Sequence, residues 1–325
     1  MVRAPRGVRE LIRIYYASDV HGSERLWRKF LNSAAFYEAD VLIMGGDLTG
    51  KVMVPFVESK PGTWSARIFG KDQKLNGEDK LADALKSVRL NGFYPLVCTK
   101  DEYDALNSDP KRRDQTFKQL MREELGRWLL LANEKLSGSG VRCYVMPGND
   151  DEWDIDDVLE NAPDPIETCE GEIVSFDGVQ MLSSAWTNPT PWDSPRELPE
   201  DELYDRLARL SAQLDADSPV VFNLHCPPHD SGIDQAPQLT EDLRVVAEGG
   251  EPKLVPVGSH AVRRLIEEVQ PLVALHGHIH EARGAVKIGK TLCINPGSVY
   301  GEGVLDGAIV DIRDGQAMAH QLVSG

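Results

Sequence analysis

Residues 11–22 read LIRIYYASDVHG, an apolar stretch that breaks directly into polar residues. Leu11 to Ala17 is short, β-branched and aromatic, the composition of a buried strand, and Ser18-Asp19-Val20-His21-Gly22 follows at once, its glycine permitting a sharp turn. A strand therefore delivers an aspartate and a histidine into a loop. From Glu24 to about Ala39, Leu26, Phe30, Ala34 and Tyr37 recur at helical spacing, with Ser23 placed as the N-cap. Val41 to Met44 is a second short apolar strand and ends in Gly45-Gly46-Asp47. The order strand, helix, strand, with strands that are wholly apolar, implies a largely parallel sheet buried on both faces.

Farther along, Val141 to Met146 repeats the apolar strand type and ends in Pro147-Gly148-Asn149-Asp150-Asp151. The looser stretch between the two reads as an insertion into one domain spanning 1–325, with an inserted subdomain at about 51–138. Within it, Val52 to Val57 and Thr63 to Phe69 flank Lys60-Pro61-Gly62 as a hairpin, and Phe93 to Cys98 is a further strand. Asp109-Pro110 opens a helix whose apolar stripe is Phe117, Met121, Leu125, Trp128, Ala132 and Leu136. The C-terminal half reads as short strands at Glu172–Phe176, Gln180–Ala185, Val220–Leu224, Leu272–Leu275, Ala285–Ile288, Leu292–Ile294 and Ala308–Ile312. One clear helix lies among them, with Val262, Leu265, Ile266 and Val269 as its stripe and Ser259 as its cap. The acidic runs at Asp151–Asp157 and Glu197–Asp205 read as solvated faces.

Composition narrows the function. The chain carries 52 acidic against 35 basic residues, a net charge of −17, with 41% apolar and 27% charged residues. Such a field repels polyanions at long range, so general nucleic-acid binding and attachment to an anionic membrane are disfavoured. Five cysteines without a C-x-x-C pair describe reduced thiols and no disulfide framework. The first twenty residues place arginines inside their only apolar run, so they read as neither signal peptide nor membrane span, and a cytoplasmic location is expected.

Five strand ends each deliver Asp, Asn or His into a following loop: Asp19 with His21, Asp47, Asn149, His225, and His278 with His280. In α/β sheets the crevice beyond the carboxyl ends of the strands binds ligands, so residues far apart in sequence converge there. Neutral imidazoles with carboxylate and amide oxygens form a ligand field for Mn, Fe, Zn or Co, whereas Ca and Mg take fewer histidines. Each motif alone is an ordinary turn or a core histidine; their ordered recurrence after apolar strands is the signal.

As a set, Asp19-Val20-His21, Gly46-Asp47, Gly148-Asn149-Asp150-Asp151, His225 and Gly277-His278-Ile279-His280 resemble the motifs of the calcineurin-like metallophosphoesterase superfamily. The resemblance spans roughly residues 12 to 312 outside the insertion. It implies an α/β fold, a four-layer α-β-β-α sandwich of two mixed sheets. It also implies two divalent ions, Mn2+ and/or Fe with Zn2+ as a further option, bridged by Asp47: one held by Asp19, His21, Asp47 and His280, the other by Asp47, Asn149, His225 and His278. The implied activity is hydrolysis of a small phosphate mono- or diester by a metal-bridging hydroxide. The other reading is a phosphoesterase-like binding or scaffold module.

One position departs from the pattern. Asp150 stands where the superfamily has a histidine after Gly-Asn, and a carboxylate with an ordinary pKa near 3.9 does not replace an imidazolium. Asp150 binds a metal-bound water, is partly protonated, or caps the turn. His229 and His276 are the candidates for the missing proton donor. Asn295-Pro296-Gly297-Ser298 reads as a turn, Arg283 as an ion-pair partner or a phosphate ligand, and Trp186, Asn188 and Trp192 as lining of a substrate pocket.

Overall fold

The structure, a computed structural model, describes residues 11–325. The N-terminal reading of no leader and no membrane span therefore lies partly outside the described residues.

β1 (Ile12–Ala17) runs into α1 (Glu24–Phe36), and β2 (Val41–Met44) then pairs parallel to β1. Ser23 caps α1 by accepting the Leu26 N–H. The chain next builds a separate four-stranded sheet from β3 (Val52–Lys60), β4 (Thr63–Ile68), β5 (Lys71–Asn76) and, after α2 (Glu78–Leu90), β6 (Phe93–Thr99). This unit has its own small core of Val54, Phe56, Trp64, Ile68, Leu75, Leu81 and Val88. α3 (Lys100–Ser108) and the long α4 (Pro110–Leu136) follow, with Asp109 capping α4 and Pro110 in its first turn. β7 (Arg142–Val145) returns beside β2 in parallel, and α5 (Asp156–Glu160) leads to β8 (Ile166–Thr168).

The second half supplies β9 (Ile173–Phe176), β10 (Val179–Ser184), α6 (Glu200–Ser211) and β11 (Val220–Leu224). β12 (Gln235–Pro237), β13 (Ala247–Glu248), β14 (Glu251–Pro252) and β15 (Leu254–Pro256) form two small ribbons. After α7 (His260–Val269) come β16 (Val273–Leu275), β17 (Gly284–Ile288), β18 (Thr291–Asn295), β19 (Asp306–Arg313) and β20 (Gln316–Ser324). Two six-stranded sheets result, ordered β20-β19-β1-β2-β7-β8 and β17-β18-β16-β11-β10-β9. Both are mixed, since β19 pairs antiparallel to β1 and β9 antiparallel to β10.

Strand alternation sets the layers. From β1, Ile12, Ile14 and Tyr16 point into a core shared with Val221, Val273 and Leu275 of the other sheet. Tyr15 and Ala17 point the opposite way, onto Trp27 and Phe30 of α1 and Trp128 and Leu129 of α4. On the far side of the second sheet, Phe222, Leu224 and Ala274 pack against Leu203 and Leu207 of α6 and Val262, Leu265 and Ile266 of α7. Helix, sheet, sheet, helix is the order. α4 thus covers the first sheet, its Trp128 stacked on Trp27 at 5.4 Å.

The acidic runs differ from expectation. Asp151 is fully buried, and Glu200 caps α7 by accepting from the Ser259 hydroxyl and the backbone N–H groups of His260 and Ala261 at 2.7–3.0 Å. A carboxylate at a helix N-terminus satisfies otherwise orphaned donors, which draws these acids into the structure. β5, α2, α6 and β20 also form, at positions to which the sequence pattern assigns no element. Among the described residues, no helix is long and apolar enough to cross a membrane.

Candidate metal centre

The loops after β1, β2 and β7 of one sheet and β11 and β16 of the other open at the same edge, so residues from 19 to 280 meet. Asp19, His21, Asp47 and His280 each offer a ligand atom, and these atoms all lie within 4.8 Å of one another. His21 Nε2 and His280 Nε2 face each other at 3.1 Å, and His280 Nε2 lies 3.4 Å from Asp19 Oδ1. His225 Nε2 approaches Asp47 Oδ1 at 3.5 Å and Asp19 Oδ1 at 3.9 Å. His278 lies beside His225, ring centroids 5.4 Å apart, and its backbone N–H reaches Asp19 at 3.1 Å. Asn149 is buried at the end of β7, and Asp150 N–H donates to Asp47 Oδ1 at 3.1 Å, which ties that loop to the cluster.

The backbone here is forced. Asp19, His21, Asp47 and His278 all adopt positive φ, between 41° and 66°, a region that costs a side-chain-bearing residue of order 1–3 kcal/mol and gathers at functional sites. Glycine is needed alongside: a Cβ on Gly148 would fall 2.0 Å from Asp47 Oδ1, and one on Gly277 would fall 2.4 Å from Asp19 Oδ2.

The electrostatics are those of a cation site. Burial alone would raise the Asp47 carboxyl, but His225, His21 and His278 outweigh it and hold the group far below the usual carboxylate range. Asp19 is lowered in the same way, burial being overcome by His280 and His225. Burial pulls His225 down, yet the two aspartates carry it up to about 9, while burial and the neighbouring His225 push His278 down to about 4. The carboxylates thus stay charged and draw positive charge onto the nearest nitrogen. Two buried ligand atoms, His225 Nε2 and Asn149 Oδ1, have no hydrogen-bond partner, although buried polar atoms are normally paired. The carboxylate, imidazole and amide donors, with these two atoms left unpaired, fit divalent metal ions.

No family model matches the chain. Over 158 residues, 48% of its length, it is 27% identical to the uncharacterized protein MJ1162 of Methanocaldococcus jannaschii; the match spans 64% of that relative's own length, less than two thirds. Its structure is similar to that of TT1561 of Thermus thermophilus, with 14% identity, coverage of 97% of this chain and 98% of the other, and a TM-score of 0.51. An archaeal phosphodiesterase aligns over 97% of this chain and 100% of its own, at 11% identity and a TM-score of 0.33. The fold is a helix-sheet-sheet-helix sandwich of two mixed six-stranded sheets, shared over nearly the whole chain with TT1561.

Within this fold, the cluster rests on a surrounding set of hydrogen bonds, several from residues to which the sequence reading gave no supporting role. The Asp151 carboxylate accepts four hydrogen bonds, from Leu48 N at 2.9 Å, Gly148 N at 2.8 Å, Thr49 N at 2.8 Å and Thr49 Oγ1 at 2.5 Å. It clamps the Asp47 loop to the Asn149 loop. Arg196, 1% exposed, donates to the Asp151 carbonyl and pairs with Asp156 while its guanidinium stacks over Trp153. Asn149 Nδ2 donates to Ser194 Oγ at 2.6 Å, and Ser194 in turn donates to Glu197. That chain commits the amide nitrogen and leaves Oδ1 buried and unpaired. Ser298 Oγ donates to the Asp19 carbonyl at 2.8 Å, giving the Asn-Pro-Gly-Ser turn a positioning role. The Tyr300 ring lies 4.5 Å from His21 and 5.7 Å from His280, an aromatic wall with no sequence signal of its own.

Of the other sequence candidates, Asp150 adjoins Asp47, while His229, Arg283, Trp186 and Trp192 have partners elsewhere or face solvent. His229 Nδ1–H donates to the Gly258 carbonyl at 3.2 Å and its ring stacks on His260; among the described residues no hydrogen bond or ring contact joins it to the ligand cluster. His276 is sealed, its Nδ1 against the Leu224 and Cys226 carbonyls, and burial pushes it down to about 4. Arg283 pairs with Asp306. Trp186 packs under Arg206, and Trp192 is exposed. Asp150 pairs with Lys51 at 3.0 Å, and burial together with Asp47 raises its carboxyl.

Proposed function

We propose that this chain is a metal-dependent phosphoesterase hydrolysing a small phosphate mono- or diester at a dinuclear site. Asp19, His21, Asp47 and His280 would hold one ion and Asp47, Asn149, His225 and His278 the other, with Mn2+ or Fe the best match to this donor set and Zn2+ the next. When bound, such ions neutralise phosphoryl oxygens and acidify water for in-line attack. The chain's own part is preorganisation. Asp47 and Asp19 remain ionised at neutral pH, His278 remains neutral and able to ligate, and the Asn149 amide nitrogen is taken by Ser194, which leaves its oxygen unpaired. The strained φ values keep these groups aimed before a ligand arrives.

The observation that carries this reading is the convergence of Asp19, His21, Asp47 and His280, their ligand atoms all within 4.8 Å, with the unpaired His225 Nε2 beside them. It is tested by metal analysis of protein purified with manganese and by hydrolysis of aryl phosphate monoesters and diesters. Two-ion uptake and Mn-dependent turnover that Asp47→Asn abolishes are expected; full activity in Asp47→Asn, or none in the wild type, refutes it. One feature favours the scaffold alternative, the absence of a histidine at Asp150. Sub-stoichiometric metal after manganese-supplemented purification would decide for it.

A further inference from the structure

Asp150 poses a problem for phosphate chemistry, since an anion beside Asp47 repels the substrate. The structure answers it with Lys51, four residues beyond Asp47 on the same loop. Lys51 Nζ lies 3.0 Å from Asp150 Oδ1 and also donates to the Asp150 carbonyl. An ammonium has three N–H donors, so one remains for another acceptor. Both side chains are open to solvent, 44% for Lys51 and 36% for Asp150, so the pair stands at the rim of the cluster and not in its floor.

From Lys51 a cleft of about 360 Å³ runs between the start of β3 and the first turns of α4. Val52, Met53, Pro110 and Phe117 give it apolar walls, and Arg113 and Asp114 stand at its margin. Asp114 pairs with Lys118 at 3.7 Å, whereas the Arg113 guanidinium has no ion-pair partner among the described residues. The cleft thus begins one ion pair away from Asp47, continues with apolar surface suited to a ring or short chain, and meets an uncommitted cation.

Resting on the phosphoesterase reading, we propose that this cleft is the leaving-group subsite: Lys51, fixed by Asp150, binds a phosphoryl oxygen on the side from which the leaving group departs, and Arg113 reads a second acidic group on an apolar leaving group. The favoured substrates are then phosphate esters of acid-bearing aromatic or apolar alcohols. Lys51 occupies the substrate-facing place left by the missing histidine, as a point charge and hydrogen-bond donor.

The test is calorimetric binding of phenylphosphonate and 4-carboxyphenylphosphonate, which are not hydrolysed, to manganese-loaded wild type, Lys51→Met, Lys51→Arg and Arg113→Met. A charge-assisted hydrogen bond is worth roughly tenfold or more in affinity. The carboxylated ligand should bind wild type about tenfold tighter than its parent, and Arg113→Met should erase that preference alone. Lys51→Met should weaken both ligands about tenfold with metal content and thermal midpoint unchanged, and Lys51→Arg should restore most of the loss. Equal affinities of wild type and Lys51→Met, or no preference for the carboxylated ligand, overturns the subsite while leaving the metal reading intact. A wild type that takes up no metal and binds neither ligand overturns both.

Discussion

Replacing Asp151 by asparagine changes little in volume but much in the accounting of buried donors. Four hydrogens enter two carboxylate oxygens: Leu48 and Gly148 N–H at Oδ2, Thr49 N–H and hydroxyl at Oδ1. An amide offers one oxygen and one NH2 group. The better orientation puts the NH2 at the Oδ1 position, where the Thr49 hydroxyl can rotate to accept, but the Thr49 N–H is then left facing another donor. One unsatisfied buried N–H costs about 1–3 kcal/mol, and the remaining bonds lose their charge assistance at roughly 0.5–1 kcal/mol each. The total, about 3 kcal/mol, is a large part of a typical stability of about 5–15 kcal/mol. Urea unfolding of metal-free protein at neutral pH measures it. Asp150→Asn, at a half-exposed pair, should stay within about 1 kcal/mol of wild type. Leu48 adjoins Asp47, and Gly148 adjoins Asn149, so Asp151→Asn should also weaken manganese binding in calorimetry. A loss below about 0.5 kcal/mol with unchanged manganese affinity would refute the clamp.

Gly148→Ala should abolish metal uptake, because its Cβ would fall 2.0 Å from Asp47 Oδ1 and 2.3 Å from Asp47 N. Gly62→Ala, where a Cβ meets nothing within 4 Å, should cost only about 1 kcal/mol for its positive φ and leave metal content intact, as elemental analysis and thermal midpoints would show. Burial lowers His276 from its ordinary 6.5 to about 4. The unfolded chain therefore takes up a proton that the folded chain refuses, so this contribution to stability is complete above about pH 6.5 and lost as pH falls towards 4. The difference is about 3 kcal/mol. Metal-free His276→Gln should show a correspondingly flatter decline in urea midpoint between about pH 7 and pH 4.5; parallel curves for the two proteins would count against the assignment.

Local signals in this chain are strong where the physics is local. The apolar strands that break into Asp-x-His, Gly-Asp, Gly-Asn and Gly-His-x-His are legible because side-chain period and turn chemistry depend on near neighbours. The caps at Ser23, Asp109 and Ser259 form for the same reason, a side-chain oxygen two or three residues from an orphaned N–H. That reading reaches the candidate ligand residues and an α/β sheet buried on both faces, whereas the four-layer arrangement is what the resemblance to the superfamily implies. It misjudges Asp151 and Glu200 as solvated, since an acid looks alike in sequence whether it faces water or several buried donors.

The tertiary structure decides the rest. Sheet order, not spacing, sets Asp19 beside His280 and brings His225 to Asp47. It slides Arg196 under the Asn149 loop and stations Lys51 against Asp150. His21 and His280 meet across 259 positions of the chain, and no local propensity encodes such a contact. Residue types name the chemistry available, but which atom is left unpaired, and therefore free to bind, is settled only when two sheets close over one edge.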